Sequence, residues 1–177
     1  MPYFTEGQLR GYALAYTMNE AANRYLNKSM SSSSATIFLS HSHMDKELAK
    51  GLKTFLGTLR LNLYIDWEDT DMPSTPNRET ASTLKKRIIA TDFFLVLCTD
   101  NALKSRWVPW EIGIADMQKN FGKILIAPVI DKLGKFNGNE YLQLYRRIIM
   151  NNSGTADVFD PDKQHTYTPL RDIFLGA

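Results

Sequence analysis

The chain has 177 residues and is 44% apolar, enough for one domain with a buried core and a small addition. Its formal net charge is +2 and no Lys/Arg run is concentrated, so composition gives no footprint for nucleic acid. A single cysteine, Cys98, excludes an intrachain disulfide and suits a reducing, cytoplasmic setting, while no apolar run reaches the roughly 18 residues of a membrane helix.

The N-terminus lacks the basic-then-apolar order of a secretory signal. Leu14, Met18, Ala21, Ala22 and Tyr25 recur at spacings that draw an apolar stripe along a helix over 7–27. The polar face of that helix is not rich in basic residues, so it is expected to pack on the main domain or on another subunit rather than on a membrane. Ser29 to Ser34, broken only by Met30, reads as a linker or exposed bend. Residues 1–34 are therefore read as a helix and linker added to a main domain over 35–177.

Ala35 to Ser40 reads as a short strand, followed by a helix with Leu48, Leu52, Phe55 and Leu59 on one face. Ser42 and Asp45 stand where the free amides of that helix's start need acceptors. Leu61 to Ile65 is a second strand, and Asp66 to Arg78, polar and holding Pro73 and Pro76, is a loop. A helix over Glu79–Ile89 turns Ala81, Leu84 and Ile88 inward. The run F-F-L-V-L-C, 93–98, is almost wholly apolar and suits a central parallel strand covered on both faces. A helix beginning near Pro109 carries Trp110, Ile114 and Met117 on one face. Ile124 to Ile130 is another strand, which Pro128 is expected to end early or push to an edge. Residues 139–150 read as a helix and 156–159 as a last short strand.

Strand and helix signals alternate, which predicts a three-layer α/β domain with a parallel sheet. Right-handed crossovers place the strand C-termini on one edge, where ligands of such sheets bind. The loops Ser40–Asp45, Asp66–Arg78, Thr99–Pro109 and Asp131–Gly138 leave from that edge.

The turn after the first strand, S-H-S-H-M-D, has neither GxGxxG nor GxxxxGK[ST], which removes most support for a dinucleotide cofactor fold or a P-loop NTPase. His41 and His43 flank a turn near Asp45, but His165 is remote and there is no HExxH, so turn structure is a better reading than zinc. Cys98 lies in an apolar strand with no histidine near it in sequence and reads as a buried thiol rather than a nucleophile. Asp66, Glu68, Asp69 and Asp71 surround Trp67 in a segment that is either a solvated loop or a lid or partner contact.

Glu111 has two readings. If Pro109 is the first helical residue, Glu111 is the third, and a carboxylate there stabilises the helix start. Trp107 is four residues earlier and projects to the same side. A cleft with aromatics, hydroxyls and one carboxylate also suits a glycosidic bond, since the acid offsets positive charge as that bond loosens. The spacing alone leaves both open.

The segments I-F-L-S-H-S (37–42) followed by Asp45, L-Y-I-D (63–66), F-L-V-L (94–97) and S-R-W-V-P-W-E-I-G-I-A (105–115) go further in combination. In order and spacing they resemble a TIR (Toll/interleukin-1 receptor) domain, of the bacterial branch that includes the TIR proteins of Thoeris antiphage systems. The resemblance covers roughly 35–159. It implies a flavodoxin-like fold with a central five-stranded parallel sheet. It implies cleavage of the nicotinamide–ribose bond of NAD⁺, with NAD⁺ consumed as substrate and neither cofactor nor metal required. The ADP-ribosyl product is then hydrolysed, cyclised or transferred. Glu111 matches the catalytic glutamate of a WxxxE pattern and Trp107 its tryptophan. Ser40 and His41 match the site-lining end of the first strand, Asp66 the acid closing the second strand, and Trp67 the start of a mobile loop reaching Arg78. The implied partners are NAD⁺, further copies of the chain that complete the pocket, and a separate effector reached through a nucleotide signal, with no nucleic acid or membrane. The alternative implied by the same family is a non-catalytic adaptor acting through protein assembly; a related nucleoside glycosyl-transferring enzyme is a third.

Overall fold

The computed structural model describes residues 3–18, 35–59, 61–69, 77–131, 133–136, 138–151, 153–163 and 166–175. Among these residues eight strands form one mixed sheet: β1 (Phe4–Thr5), β2 (Thr36–Ser40), β3 (Asn62–Tyr64), β4 (Phe93–Cys98), β5 (Ile124–Ile130), β6 (Arg146–Met150), β7 (Ala156–Phe159) and β8 (Tyr167–Pro169). The order is β3-β2-β4-β5-β6-β7-β8, with β1 on β5. The neighbours from β3 through β6 pair in parallel, while β7 and β8 add antiparallel. The α/β architecture is as expected, but the sheet is larger and mixed. Two short antiparallel strands extend it beyond β6, each pairing with the strand before it in the chain.

Six helices among the described residues cover the sheet: α1 (Glu6–Met18), α2 (Lys46–Thr58), α3 (Arg78–Ala90), α4 (Asp100–Lys104), α5 (Val108–Gln118) and α6 (Leu170–Leu175). The two-residue side-chain period of a strand sorts the core into two halves. Phe93, Leu95 and Leu97 of β4 pack with α1, α2 and α6 on one face. Phe94, Val96 and Cys98 pack with α3, α4 and α5 on the other. All six β4 residues are buried, which explains the unbroken apolar run. The start of α3 is fixed by a capping box in which Asn77 and Thr80 each accept the other's backbone N–H.

Several expectations need correction. Residues 139–150 are not a helix. A 3-10 turn over Glu140–Leu144 leads into β6, where the branched pair Ile148–Ile149 is better placed in a strand than in a helix. Pro128 neither shortens β5 nor places it at an edge. It stands opposite Cys98 at the last rung to β4, past the two rungs that β6 makes with Leu125 and Ile126. On α5 the buried side is Val108, Glu111, Ile112 and Ala115, while Met117 is 83% exposed.

The N-terminal helix packs on the main domain by Leu9 and Ala13 and not by Leu14, the one residue of the expected stripe whose side chain is described. Leu9 and Ala13 are buried and Leu14 is exposed; the side chain of Met18 and residues 19–34, with the serine run, lie outside the described residues. Gly51 makes this crossing of α1 and α2 possible, because a Cβ there would lie 1.9 Å from the Leu9 carbonyl oxygen. Phe4 and Leu9 are wholly buried in the main core, Arg10 pairs with Glu47, and β1 continues the sheet at Val129 and Ile130.

Candidate active site

The chain runs from β2 outward to β3 and then returns past β2 to β4, so the strand order reverses at the β2–β4 boundary. In open parallel sheets the loops separate there and leave a crevice at the strand C-termini. Ser40 is the last residue of β2, in register with Val96. It shares parity with Phe38, so it faces the layer that contains α5. From that side α5 brings Glu111, and Ser40 Oγ donates to Glu111 Oε2 at 2.5 Å. Both side chains are buried, Ser40 at 1% and Glu111 at 6% exposure.

The helix begins at Val108 and not at Pro109, so Glu111 is its fourth residue, with its N–H bonded to the Trp107 carbonyl at 2.8 Å. Ser105 Oγ, not Glu111, accepts the first N–H groups, those of Trp107 and Val108. Electrostatics also separate the two readings of this acid. A carboxylate stabilised chiefly by a helix start has its pKa lowered. Burial instead pushes the Glu111 carboxyl up to about 7, the Ser40 hydrogen bond opposes this, and the charge of Asp66 adds to it. Such an acid can change charge near neutrality.

A second cluster lies at the end of β3. The His41 side chain is buried, its Nδ1 3.3 Å from the Leu39 carbonyl and its Nε2 3.8 Å from Asp66 Oδ1. Burial lowers the His41 pKa, against the raising effects of Asp66, the Leu39 carbonyl and Asp45. Trp67 meets the imidazole edge-on at 4.5 Å, and Lys46 sits over the indole. Asp66 links the clusters, since its charge acts on both His41 and Glu111. Of the expected site residues, Ser40 and Glu111 are thus in direct contact, and His41, Asp66 and Trp67 form a neighbouring group. Trp107 instead meets Trp110 edge-on at 5.2 Å. Residues 70–76 of the expected mobile loop and His165 lie outside the described residues.

Asp45 departs from its expected role. It does not cap α2 with its side chain; it is 3% exposed and accepts from Thr99 Oγ1 at 2.5 Å and Asn101 Nδ2 at 2.7 Å. The sequence signal for this link is polar residues at the ends of two neighbouring strands, but their pairing depends on the β2–β4 register. Among the described residues, no group of three His, Cys, Asp or Glu side chains is arranged to hold a metal ion, and no helix is long and apolar enough to cross a membrane. Burial raises the Cys98 thiol to about 12, as fits a core residue.

A reversed parallel sheet with a buried carboxylic acid and a hydroxyl at its switch point defines an α/β domain with a candidate catalytic centre. Residues 37–159 match the TIR domain family, and the chain belongs to that family. It is 33% identical over 142 residues to a probable 3' cyclic ADP-D-ribose synthase, ThsB', of Bacillus cereus (strain MSX-D12), covering 76% of this chain and 72% of that protein. It is 33% identical over 94 residues to a putative cyclic ADP-D-ribose synthase, TIR2, of Cytobacillus dafuensis, covering 51% of this chain and 24% of the relative.

Proposed function

We propose that this chain cleaves the nicotinamide–ribose bond of NAD⁺ and converts the ADP-ribosyl group into a signal nucleotide, cyclic by analogy with the names of both relatives, in antiphage defence. The observation that carries the reading is the buried Glu111 carboxyl, held by Ser40 at the switch point of a TIR-family sheet. The parallel run from β3 to β6 supports a flavodoxin-like five-stranded centre. The N-terminal segment up to residue 34 is an accessory to the TIR domain of 35–177 and docks on its core through Phe4 and Leu9.

The C1′–N bond breaks with its electron pair going to the pyridinium nitrogen, so nicotinamide leaves neutral and needs no proton. Positive charge then develops on the ribose ring. Glu111 in its ionised form stabilises that charge and holds the ribose hydroxyls. The approaching cation favours ionisation of an acid that is half-ionised near pH 7. Ser40 orients the carboxyl; His41, Asp66 and Trp67 form the adjoining wall, and Trp107 supports the start of α5 through Trp110. An internal hydroxyl or ring nitrogen of the ADP-ribosyl group attacks C1′ and closes the ring; any proton that an attacking hydroxyl carries is released. Water at the same position gives ADP-ribose. Further copies of the chain complete the pocket in the cytoplasm, and a separate effector responds to the product.

The test is mass identification of every nucleotide made from labelled NAD⁺ in lysate of phage-infected cells carrying the chain. A cyclic ADP-ribose isomer is expected. Labelled NAD⁺ left intact, with defence unaffected by loss of Glu111, would establish the adaptor role instead.

A further inference from the structure

Among the described residues, two polar links join the loop and strand end at β2 to the segment that carries α5, and one of them involves Glu111. The first is the Ser40–Glu111 bond at 2.5 Å. The second is Asp45, whose two carboxylate oxygens accept from Thr99 Oγ1 at 2.5 Å and Asn101 Nδ2 at 2.7 Å, residues 54 and 56 positions away. Thr99 Oγ1 also accepts the Ala102 N–H at 3.0 Å, so the same hydroxyl starts α4. Beyond Thr99 the chain closes α4 at Lys104, and Ser105 caps the turn into α5 through the N–H groups of Trp107 and Val108. A hydrogen-bonded path therefore runs from Asp45 to the first turn of α5, separate from the contact that Glu111 makes.

The two links face different demands in turnover. If Glu111 takes the ribose hydroxyls, the carboxylate that Ser40 holds by Oε2 is shared with the substrate, so the Ser40 bond is part of the reacting group's own contacts. The Asp45 link need not change, because both its oxygens are committed to protein donors and its side chain is buried. Resting on the reading of Glu111 above, we propose that Asp45 is a positioning residue: through Thr99 and Asn101 it holds the loop after β2 against the loop before α5, so that Glu111 keeps its place at the end of β2 while its carboxylate engages the ribose. Displacing a reacting group by about 1 Å costs on the order of a hundredfold in rate, so loss of this link is expected in kcat more than in KM.

The link has a built-in test. Asp45→Ala removes both acceptors and loses both bonds. The exchange Asp45→Asn with Asn101→Asp keeps the pair with donor and acceptor reversed, while the amide introduced at position 45 still offers an oxygen to Thr99. In the intact chain, nicotinamide release from NAD⁺ is measured with wild type, both variants and Glu111→Gln in parallel. The Glu111 carboxyl is titrated by ¹³C NMR in all but the last. The single variant, still folded by circular dichroism, is expected to lose about tenfold or more in kcat with KM within about threefold, and the exchange to recover most of it. The Glu111 titration is expected to fall from about 7 towards 4.5 in the single variant, as water enters, and to return in the exchange. Unchanged kcat and titration in folded Asp45→Ala overturn the proposal, as does an exchange that restores thermal stability but neither readout. Should wild type release no nicotinamide, the enzymatic reading fails, and the titration alone decides whether Asp45 positions Glu111.

Discussion

Ser40 Oγ and Glu111 Oε2 lie 2.5 Å apart although 71 positions separate the residues in sequence. Strand parity turns Ser40 towards α5, and the first turn of α5 turns Glu111 towards β2. The contact converts two separate sequence motifs into one buried hydroxyl–carboxyl pair at the sheet's switch point, and most consequences below follow from its being buried.

Stability should report that burial directly. The folded-state pKa of Glu111 is raised to about 7 from 4.5. Stabilisation from its protonated form is therefore full below about pH 4.5 and lost as pH rises through about 7, amounting to about 3 kcal/mol. Glu111→Gln lacks this titration. Urea unfolding from pH 4 to 8 should show the variant gaining on wild type by about that amount across the interval. Parallel stability curves would mean that the carboxyl is solvated in the folded chain.

Two substitutions should move the acidic limb of kcat/KM in opposite directions. The Ser40 hydrogen bond lowers the Glu111 pKa, so Ser40→Ala should shift the limb to higher pH. The charge of Asp66 raises it, so Asp66→Asn should shift the limb to lower pH, and less so in high salt because Asp66 is 40% exposed. The two pH–rate profiles, recorded for nicotinamide release, give the signs. Shifts in the same direction would show that the limb belongs to another group.

The alternating layers, the buried β4 strand and the edge carrying Ser40 and Glu111 were legible in the sequence because each follows from local periodicity. Other features depended on tertiary context. Tyr141, Leu142, Tyr145, Ile148 and Ile149 have spacings compatible with a helix, yet the chain spends them on a 3-10 turn and a strand that finds the free side of β5. Leu14 of the expected stripe is exposed, and the face of α1 that meets the main domain is Leu9 and Ala13, set by how closely Gly51 lets it approach. The Asp45–Thr99–Asn101 link was hidden because no spacing rule connects loops that only strand pairing brings together.

That close approach gives a packing prediction. Gly51→Ala places a Cβ 1.9 Å from the Leu9 carbonyl oxygen, which is backbone, so α1 must shift away from α2. A loss of about 2–4 kcal/mol is expected, from overpacking and from exposure of Leu9. Gly113→Ala is the matched control: a Cβ there meets nothing within 4 Å, and an alanine within α5 should gain about 0.5–1 kcal/mol. Thermal melts of both variants decide it. Equal stability of Gly51→Ala and wild type would mean that α1 does not pack on α2 in solution.

The central claim is that the buried acid of α5 acts on the ribose of NAD⁺. Its most direct measure is nicotinamide release by wild type and Glu111→Gln, purified and in infected-cell lysate, at matched protein and NAD⁺ concentrations. The amide keeps the shape of the side chain and an acceptor for Ser40 while removing the charge. Release by wild type and a loss of at least about a hundredfold in the variant, with its fold intact, is the expected result. Equal release by the two proteins would contradict it.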